Sequence, residues 1–395
     1  MTALLLALAA AFLLLAAHPF TTYPASLALL RRLRPTHPRP SAAGQAPQSF
    51  SLLVCAHNEE RVIADKIANL EALLERAPGP AEVLVYVDGS NDGTATILEQ
   101  RADPRFTLVV SPRRSGKTAG LNRLAALARG EILVLSDANV TLAPDVLERL
   151  APRFADAEVG LVVGHLRYVN GGESVTADNG ARYWRLEETL RQLESDTGSA
   201  IGADGSLYAV RRTLWPMVPD DLIDDFYVPM TIRFAGRRVC RGADVHAFER
   251  SAGCGRDEFR RKVRIACQAF NVHRELWPRI RALAPLDLYK YLSHKLLKWL
   301  AGPHLLLAAG LALAGLASAL GALAASVIAA GLLLAFALAC KLRLQPAPAL
   351  WDALAMLAAV ALGLLRSLQG ERFQTWQPAD SARAAPVPIE TRTAS

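Results

Sequence analysis

The chain of 395 residues carries 44 Lys and Arg against 37 Asp and Glu, a formal charge of +7, and is 52% hydrophobic but only 21% charged. That balance argues against an ordinary soluble enzyme, which carries more charge. The basic excess sits beside apolar runs, at Arg31, Arg32 and Arg34 and at Lys295 and Lys298. This placement suits lipid headgroups or a cytosolic-side signal and argues against nucleic acid as a partner. The five cysteines (Cys55, Cys240, Cys254, Cys267 and Cys340) form no CxxC pair. Neither a disulfide framework nor a zinc site is suggested, and a reducing compartment fits.

In chain order, residues 1–30 read as an N-terminal transmembrane helix. No charged side chain occurs in 1–17, and the apolar run continues more weakly to Leu30; a span needs roughly 17–25 such residues. A cleaved signal peptide is the rival, with Ala16 and Ala17 as small residues for cleavage but no basic stretch before them. Residues 31–49 read as a linker rich in Pro, Ala, Ser and Gln. Residues 50–250 read as a catalytic domain of α/β class. Short β-like runs at Phe50–Ala56, 83–87, 106–110, Ile132–Ser136 and 160–163 alternate there with helical stretches. Such alternation predicts a mostly parallel sheet covered on both faces. Residues 251–298 read as amphipathic interface helices. Phe259, Val263, Ala266, Phe270 and Trp277 form an apolar face beside the basic Arg260, Arg261, Lys262 and Arg264. Residues 299–368 read as about three transmembrane or re-entrant helices, with a turn near 318–321 and a last run over 350–365. Residues 369–395 read as a flexible tail. Three full crossings would leave that tail outside although it carries Arg372 and Arg383, so a re-entrant or interfacial last run is the alternative.

Ligands of such sheets bind beyond the carboxyl ends of the strands. Three polar groups stand there: His57-Asn58-Glu59-Glu60, Asp88-Gly89-Ser90-Asn91-Asp92-Gly93 and Asp137-Ala138-Asn139. Asp88 reads either as a capped turn or as a carboxylate facing a nucleotide. Ser115-Gly116-Lys117-Thr118 lacks the upstream glycine of a P-loop, but Lys117 suits donor phosphates, as do Arg113 and Arg114. Asp137 with Asn139 suits a hard divalent cation shared with a diphosphate; an Asx turn is the plain alternative. Asp220, Asp221, Asp224 and Asp225 crowd into six positions. Like charges so close raise one another's pKa, and one of them suits a general base. The histidines form no cluster with metal-ligand spacing.

These motifs together resemble the inverting family 2 glycosyltransferases with a GT-A fold, the group that includes cellulose, hyaluronan and poly-N-acetylglucosamine synthases. The resemblance covers roughly 50–275, and the flanking apolar segments extend it to the membrane-bound members. Cys55-Ala56-His57-Asn58-Glu59-Glu60 looks like the first strand motif. Tyr86 to Thr94 looks like the Asp-Gly-Ser-x-Asp-Gly-Thr motif. Gly116 to Asn122 is similar to the nucleotide-pocket segment, and Gly202 to Tyr208 to the segment beside acceptor and donor sugar. The resemblance implies donor contacts from Ala56, Asn58, Glu59, Asp88, Gly116, Lys117, Asp137, Arg261 and Arg264. It implies a divalent cation, Mg²⁺ or Mn²⁺, at Asp137 and Asn139. It implies catalysis by Asp225 as base, with Asp224 and Arg264. Asn139 stands where the family has a second carboxylate. Arg261 and Ile265 replace the Gln and Trp of the Gln-x-x-Arg-Trp motif, which argues against processive polymer synthesis.

The expected function is inverting transfer of a sugar from a nucleotide-diphosphate sugar, a UDP-hexose or UDP-N-acetylhexosamine, to an acceptor hydroxyl, for polysaccharide or glycolipid synthesis at the membrane. Single transfer to a lipid or polyprenyl-phosphate acceptor is one alternative. A catalytically degenerate, membrane-anchored binding protein is another. The expected partners are the nucleotide-sugar donor, a carbohydrate or lipid-linked acceptor, membrane lipids and subunits of a synthesis or export complex, with no nucleic acid. The expected location is a bacterial inner membrane with the catalytic part in the cytoplasm.

Overall fold

The structure is a computed structural model that describes residues 1–33, 46, 49–101, 103–169, 175–250 and 255–376, with the backbone alone for 175–183 and 257. Most of the expected linker, the stretch 251–254 and the tail beyond Trp376 lie outside the described residues. The N-terminal segment departs from the expected single helix over 1–30. It is α1 (Thr2–Ala17), a 3-10 turn at His18–Phe20, and α2 (Thr22–Leu33). Pro19 lies in that turn, and Thr21 leaves helical geometry, so the apolar run ends where the chain bends.

From Phe50 the chain alternates β1 (Phe50–Ala56), α3 (Ile63–Glu75), β2 (Ala81–Asp88), α4 (Thr94–Glu99), β3 (Phe106–Ser111), α5 (Lys117–Leu127) and β4 (Ile132–Ser136). Then come β5 (Thr141–Leu142), α6 (Val146–Leu150), β6 (Val159–Tyr168), α7 (Val175–Asp196), β7 (Leu207–Arg211), α8 (Asp224–Phe234) and β8 (Arg238–Glu249). The strands form one sheet in the order β3-β2-β1-β4-β7-β6-β8-β5. The pairs β3–β2, β2–β1, β1–β4 and β6–β8 are parallel, while β7 runs antiparallel to both β4 and β6. The expected strands are present, β1 and β4 with the expected bounds and β2, β3 and β6 longer, and β5, β7 and β8 were not anticipated.

This pairing decides where chemistry can collect. The carboxyl ends of β1, β2, β4, β6 and β8 and the amino end of β7 share one edge. Alternate residues of β1 feed two cores, as a strand's pleat requires. Leu52 and Val54 pack with Ile63, Ile67 and Leu70 of α3. Leu53 and Cys55 share the opposite core with Leu121, Tyr208, Phe226 and Trp299. That second core is where the sheet meets the membrane-side helices.

Those helices are α9 (Gly255–Ile280), α10 (Pro285–Tyr291), a π-helical turn at Leu292–Leu296, α11 (Leu297–Trp299), α12 (Ala301–Leu320), α13 (Ala322–Lys341) and α14 (Ala347–Leu368). Among the described residues, four helices are long and apolar enough to cross a membrane: Thr2–Phe20, Ala301–Leu320, Ala322–Lys341 and Ala347–Leu368. Gly321, at φ +86°, makes the sharp turn between α12 and α13. Leu5 and Leu6 of α1 pack on Gly315 of α12, and Thr2 Oγ1 meets Ser318 Oγ at 2.9 Å. The start of α1 and the end of α12 therefore lie together, away from the sheet.

The last apolar helix returns to the sheet. Gly363 touches Val263 and Ala266 of α9, and Ser367 bonds Asn271 at 2.5 Å. Beyond it, Arg372 pairs with Asp221. Both Ala301 and Arg372 thus lie on the catalytic side, and an odd number of crossings cannot join them. This packing supports the re-entrant or interfacial alternative for the last apolar run. The portion 369–376 of the expected flexible tail is docked. We expect Cys residues introduced as Gln369→Cys and Arg129→Cys to react with a membrane-impermeant maleimide from the same side in sealed vesicles. Labelling from opposite sides would contradict this topology.

Candidate active site

The two loops after β1 and β2 are laced together. Asn58, at φ +54°, donates its backbone N–H to Ser90 Oγ at 3.1 Å and accepts from Asn91 N at 3.0 Å. Glu59 N donates to Thr94 Oγ1, Glu60 N to Asp92, and Gly93 N to Glu60 Oε2. His57 Nδ1 lies 2.8 Å from the Asp88 carbonyl oxygen, with Nδ1 as donor. Asn58 and Glu59, assigned to the donor by resemblance, thus contribute to holding these loops together. Ala56 ends β1 and is fully buried.

Asp88 differs most from the expectation. It has no exposed surface, and its carboxylate is turned onto the following loop. Oδ1 accepts from Ser115 N at 2.6 Å and Oδ2 from Gly116 N at 3.1 Å, with Arg114 Nε 3.6 Å away. In this arrangement Asp88 fixes the shape of the Arg114–Lys117 loop and does not open onto the cleft. Gly116 is required there for two reasons: its φ is +96°, and a Cβ would collide with the Gln374 carbonyl.

That collision marks a feature the sequence did not reveal. The segment after α14 lies across the same loop. Gln374 Nε2 donates to Ser115 O at 3.1 Å, and Arg114 both donates to the Trp376 carbonyl and lies over its ring at 5.4 Å. Trp376 also meets the His57 ring edge-on at 6.1 Å.

Deeper in the cleft the acids converge. Lys117 Nζ donates to Asp137 Oδ1 at 2.6 Å. A Cβ on Gly205 would touch both Asp225 Oδ2 and Lys117 Nζ, at 3.2 and 3.3 Å, so the bare glycine lets the two groups face one another across the loop. Asp224 and Asp225 open α8, where carboxylates are favoured by the helix dipole. Asp224 is buried and accepts from Tyr208 Oη at 2.7 Å. Burial, then Asp224, Asp204 and Asp137, push Asp225 up to about 7 against the opposing pull of Lys117. Burial also works against the Lys117 charge, but Asp137, Asp224 and Asp225 outweigh it and hold the ammonium above its ordinary range.

Arg264 feels Asp137 and Asp225 and bonds Gln268 at 3.1 Å; burial and the neighbouring Arg261 bring it down to about 10. Arg261 is held above its ordinary range because Tyr168, Glu258 and Glu249 outweigh its burial. Glu249, Lys66 and Asp204 were not assigned roles from sequence. Glu249 ends β8 opposite Tyr168 and accepts from Asn139 Nδ2 at 3.0 Å. Lys66 is buried, donates to Ser136 Oγ and the Val140 carbonyl, and is brought down to about 7 by burial.

A hard divalent cation fits this donor set. Asp137, Asp204 and Asp225 meet here, and burial with Asp137 and Asp204 pushes Glu249 up against the pull of Arg261. Among the described residues no three His, Cys, Asp or Glu form a closed cage. Mg²⁺ commonly uses one or two carboxylates plus substrate phosphates.

The Asp225 pKa makes a stability prediction. The folded state holds this proton more tightly than the unfolded chain, whose carboxyl titrates near ~3.9. The corresponding stability is fully present below about pH 4 and is lost as pH rises through 7. Thermal melts of purified protein should show the wild type falling relative to Asp225→Asn between those values and levelling above 7. Parallel curves would contradict the buried, proton-sharing site.

Residues 51–214 match the family model described as Glycosyl transferase family 2. The chain is 32% identical over 183 residues to the beta-monoglucosyldiacylglycerol synthase of Trichormus variabilis, covering 45% of this chain and 39% of that one. It is 31% identical over 131 residues to an N-acetylglucosaminyltransferase of Rhizobium leguminosarum bv. trifolii, covering 32% of this chain and 71% of the relative. The chain spans about half or less of the length of the first curated relatives it matches. Among solved structures, the mannosyltransferase PcManGT from Pyrobaculum calidifontis, in complex with GDP-Man and Mn²⁺, superposes with a TM-score of 0.70 at 25% identity, covering 93% of this chain and 99% of that one.

Proposed function

Because the chain belongs to glycosyltransferase family 2, we propose that it is a membrane-bound inverting hexosyltransferase that moves a sugar from a nucleotide-diphosphate donor to an acceptor hydroxyl at the bilayer surface. The observation that carries this reading is the meeting of Asp225, Lys117, Asp137 and Arg264 at one sheet edge. Asp225, titrating near neutrality, is poised to take a proton. In the reaction the acceptor oxygen attacks the anomeric carbon while its proton passes to Asp225. The bond to the diphosphate breaks, and its electron pair leaves with the nucleotide. Arg264 and Lys117 hold positive charge against the departing phosphates, and preorganised charge of this kind is usually the largest catalytic term. Asp224, fixed by Tyr208, orients the start of α8 and keeps the Asp225 proton affinity high.

A divalent cation held by Asp137, with Asn139 and Glu249 beside it, would add Lewis-acid stabilisation of the diphosphate. The superposable mannosyltransferase holds Mn²⁺ with its nucleotide sugar, which supports a cation here; Mg²⁺ and Mn²⁺ are both suitable. The loop fixed by Asp88 is the proposed donor seat, with Ala56, Asn58, Glu59 and Gly116 shaping it and Arg261 as a further proposed donor contact. A donor entering there meets Trp376. Arg31 and Arg32 at the catalytic end of the N-terminal helices favour a cytoplasmic catalytic domain by the positive-inside rule.

A lipid or lipid-linked acceptor is favoured over a secreted polymer. The Gln-x-x-Arg-Trp pattern is incomplete, and the membrane part is small. One curated relative is named for a glycosyldiacylglycerol product. Incubation in nanodiscs with UDP- and GDP-sugars, a divalent cation and lipid extract should give a glycosylated lipid by mass spectrometry. Asp225→Asn should lose turnover by about 10²–10⁴-fold, the usual range for removing a general base, while still binding donor. Asp137→Ala should abolish the metal dependence of donor binding. Full turnover by the first variant, or an unchanged titration with donor and Mn²⁺ by the second, would remove these residues from their roles.

A further inference from the structure

Between the carboxylate cleft and the start of α12 lies a cationic group that the transfer reaction above does not use. The helical run from Pro285 to Trp299 is interrupted by the π-helical turn at Leu292–Leu296, and Lys295 stands in that turn. A π-turn shifts the register of the side chains that follow it, and such turns are frequent at functional sites. Lys295 Nζ lies 5.6 Å over the Phe226 ring, next in sequence to Asp225. A Cβ on Gly202 would lie 3.2 Å from the same Nζ. The single loop Gly202-Ala203-Asp204-Gly205 therefore meets Lys295 at one end and Asp225 at the other, with Ala203 N donating to Asp225 O at 2.8 Å.

Lys295 has no hydrogen-bond or ion-pair partner among the described residues, although carboxylates are close. Those carboxylates are engaged elsewhere. Glu187 bonds Lys298 at 2.5 Å and His294 at 3.2 Å. Glu194 accepts from Tyr23 at 2.6 Å, His294 at 2.7 Å and Ile201 N at 2.9 Å. Burial and then Lys298 bring Lys295 down to about 8, which leaves it mostly charged at neutral pH. Leaving a partly buried ammonium without a counter-ion is costly. A structural role would pair it; an incoming anion accounts for its being unpaired. The run leads directly into α12, so such an anion would approach from the bilayer surface.

We propose that Lys295 binds the phosphate of an anionic lipid acceptor, holding that headgroup so that its hydroxyl reaches Asp225. This rests on the transferase reading and narrows its substrate class to lipids bearing a phosphate and a hydroxyl in one headgroup. Diacylglycerol lacks the phosphate, and glycerol phosphate lacks the lipid.

The test uses the full chain in phosphatidylcholine nanodiscs with nucleotide sugar and divalent cation. The acceptors are the anionic and the neutral fractions of a membrane lipid extract separated by ion exchange, and soluble glycerol phosphate. The expected product appears with the anionic fraction. Lys295→Gln should raise its KM about tenfold to hundredfold, the equivalent of a lost charge-assisted hydrogen bond. Turnover at saturation should stay within a few-fold, and Lys295→Arg should restore the KM. Product from the neutral fraction, equal use of glycerol phosphate, or an unchanged KM in Lys295→Gln would overturn the proposal. No product from any fraction while donor still binds and is slowly hydrolysed would also overturn it, leaving the donor site intact. Absence of donor binding would instead bring down the transferase reading itself.

Discussion

The ammonium of Lys117, bonded to Asp137 and facing Asp225 across the bare backbone of Gly205, is the contact on which the site depends. Asp224, Asp204 and Asp137 all act on Asp225 there. Like charges in a partly desolvated cleft cannot all ionise freely, so one of them is forced to keep its proton toward neutral pH. The outcome is a carboxylate of useful basicity beside a positively charged wall. A phosphate-bearing donor, with its cation, would change that balance locally, linking donor arrival to ionisation of the base.

The rest of the chain serves to put these groups at one edge and to bring that edge to the bilayer. Parallel pairing of β1, β2 and β4 sends three polar loops to the same side. The antiparallel insertion of β7 delivers Gly205 and Ser206 to that side from the opposite direction. The core on the α5 and α8 face of the sheet is continued by α9, Trp299 and Leu364, so membrane helices and catalytic sheet are one packed body. The return of α14 follows from the same packing. Val263 and Ala266 of α9 receive Gly363, and the chain is then short enough to lay Trp376 across the loop that Asp88 holds.

Much of this was legible in the sequence because it is written in local patterns. Strands β1 to β4 are short apolar runs closed by polar turns. Asp137, Lys117 and the Asp224–Asp225 pair stand in motifs whose spacing survives folding. Strand β8 was not legible: Arg238–Glu249 scatters charged residues and Gly242 among apolar ones without a regular alternation, because it is only partly buried, and without that strand Glu249 has no address. Asp88 was recognised as important, but its partners Ser115 and Gly116 are more than two dozen positions away, and nothing local predicts that it turns inward. The docked tail and Lys295 depend on contacts across the whole chain. The break at Pro19 was readable in principle, since proline and the following Thr21 punctuate an otherwise uniform apolar run.

The claim at the centre of this account is one direct displacement, with an acceptor oxygen deprotonated on the face opposite the departing diphosphate. The anomeric configuration of the product reports it directly. From an α-linked nucleotide sugar, proton NMR of the purified glycolipid should show a β linkage. An α linkage would mean retention, and the single-base arrangement at Asp225 would not account for it.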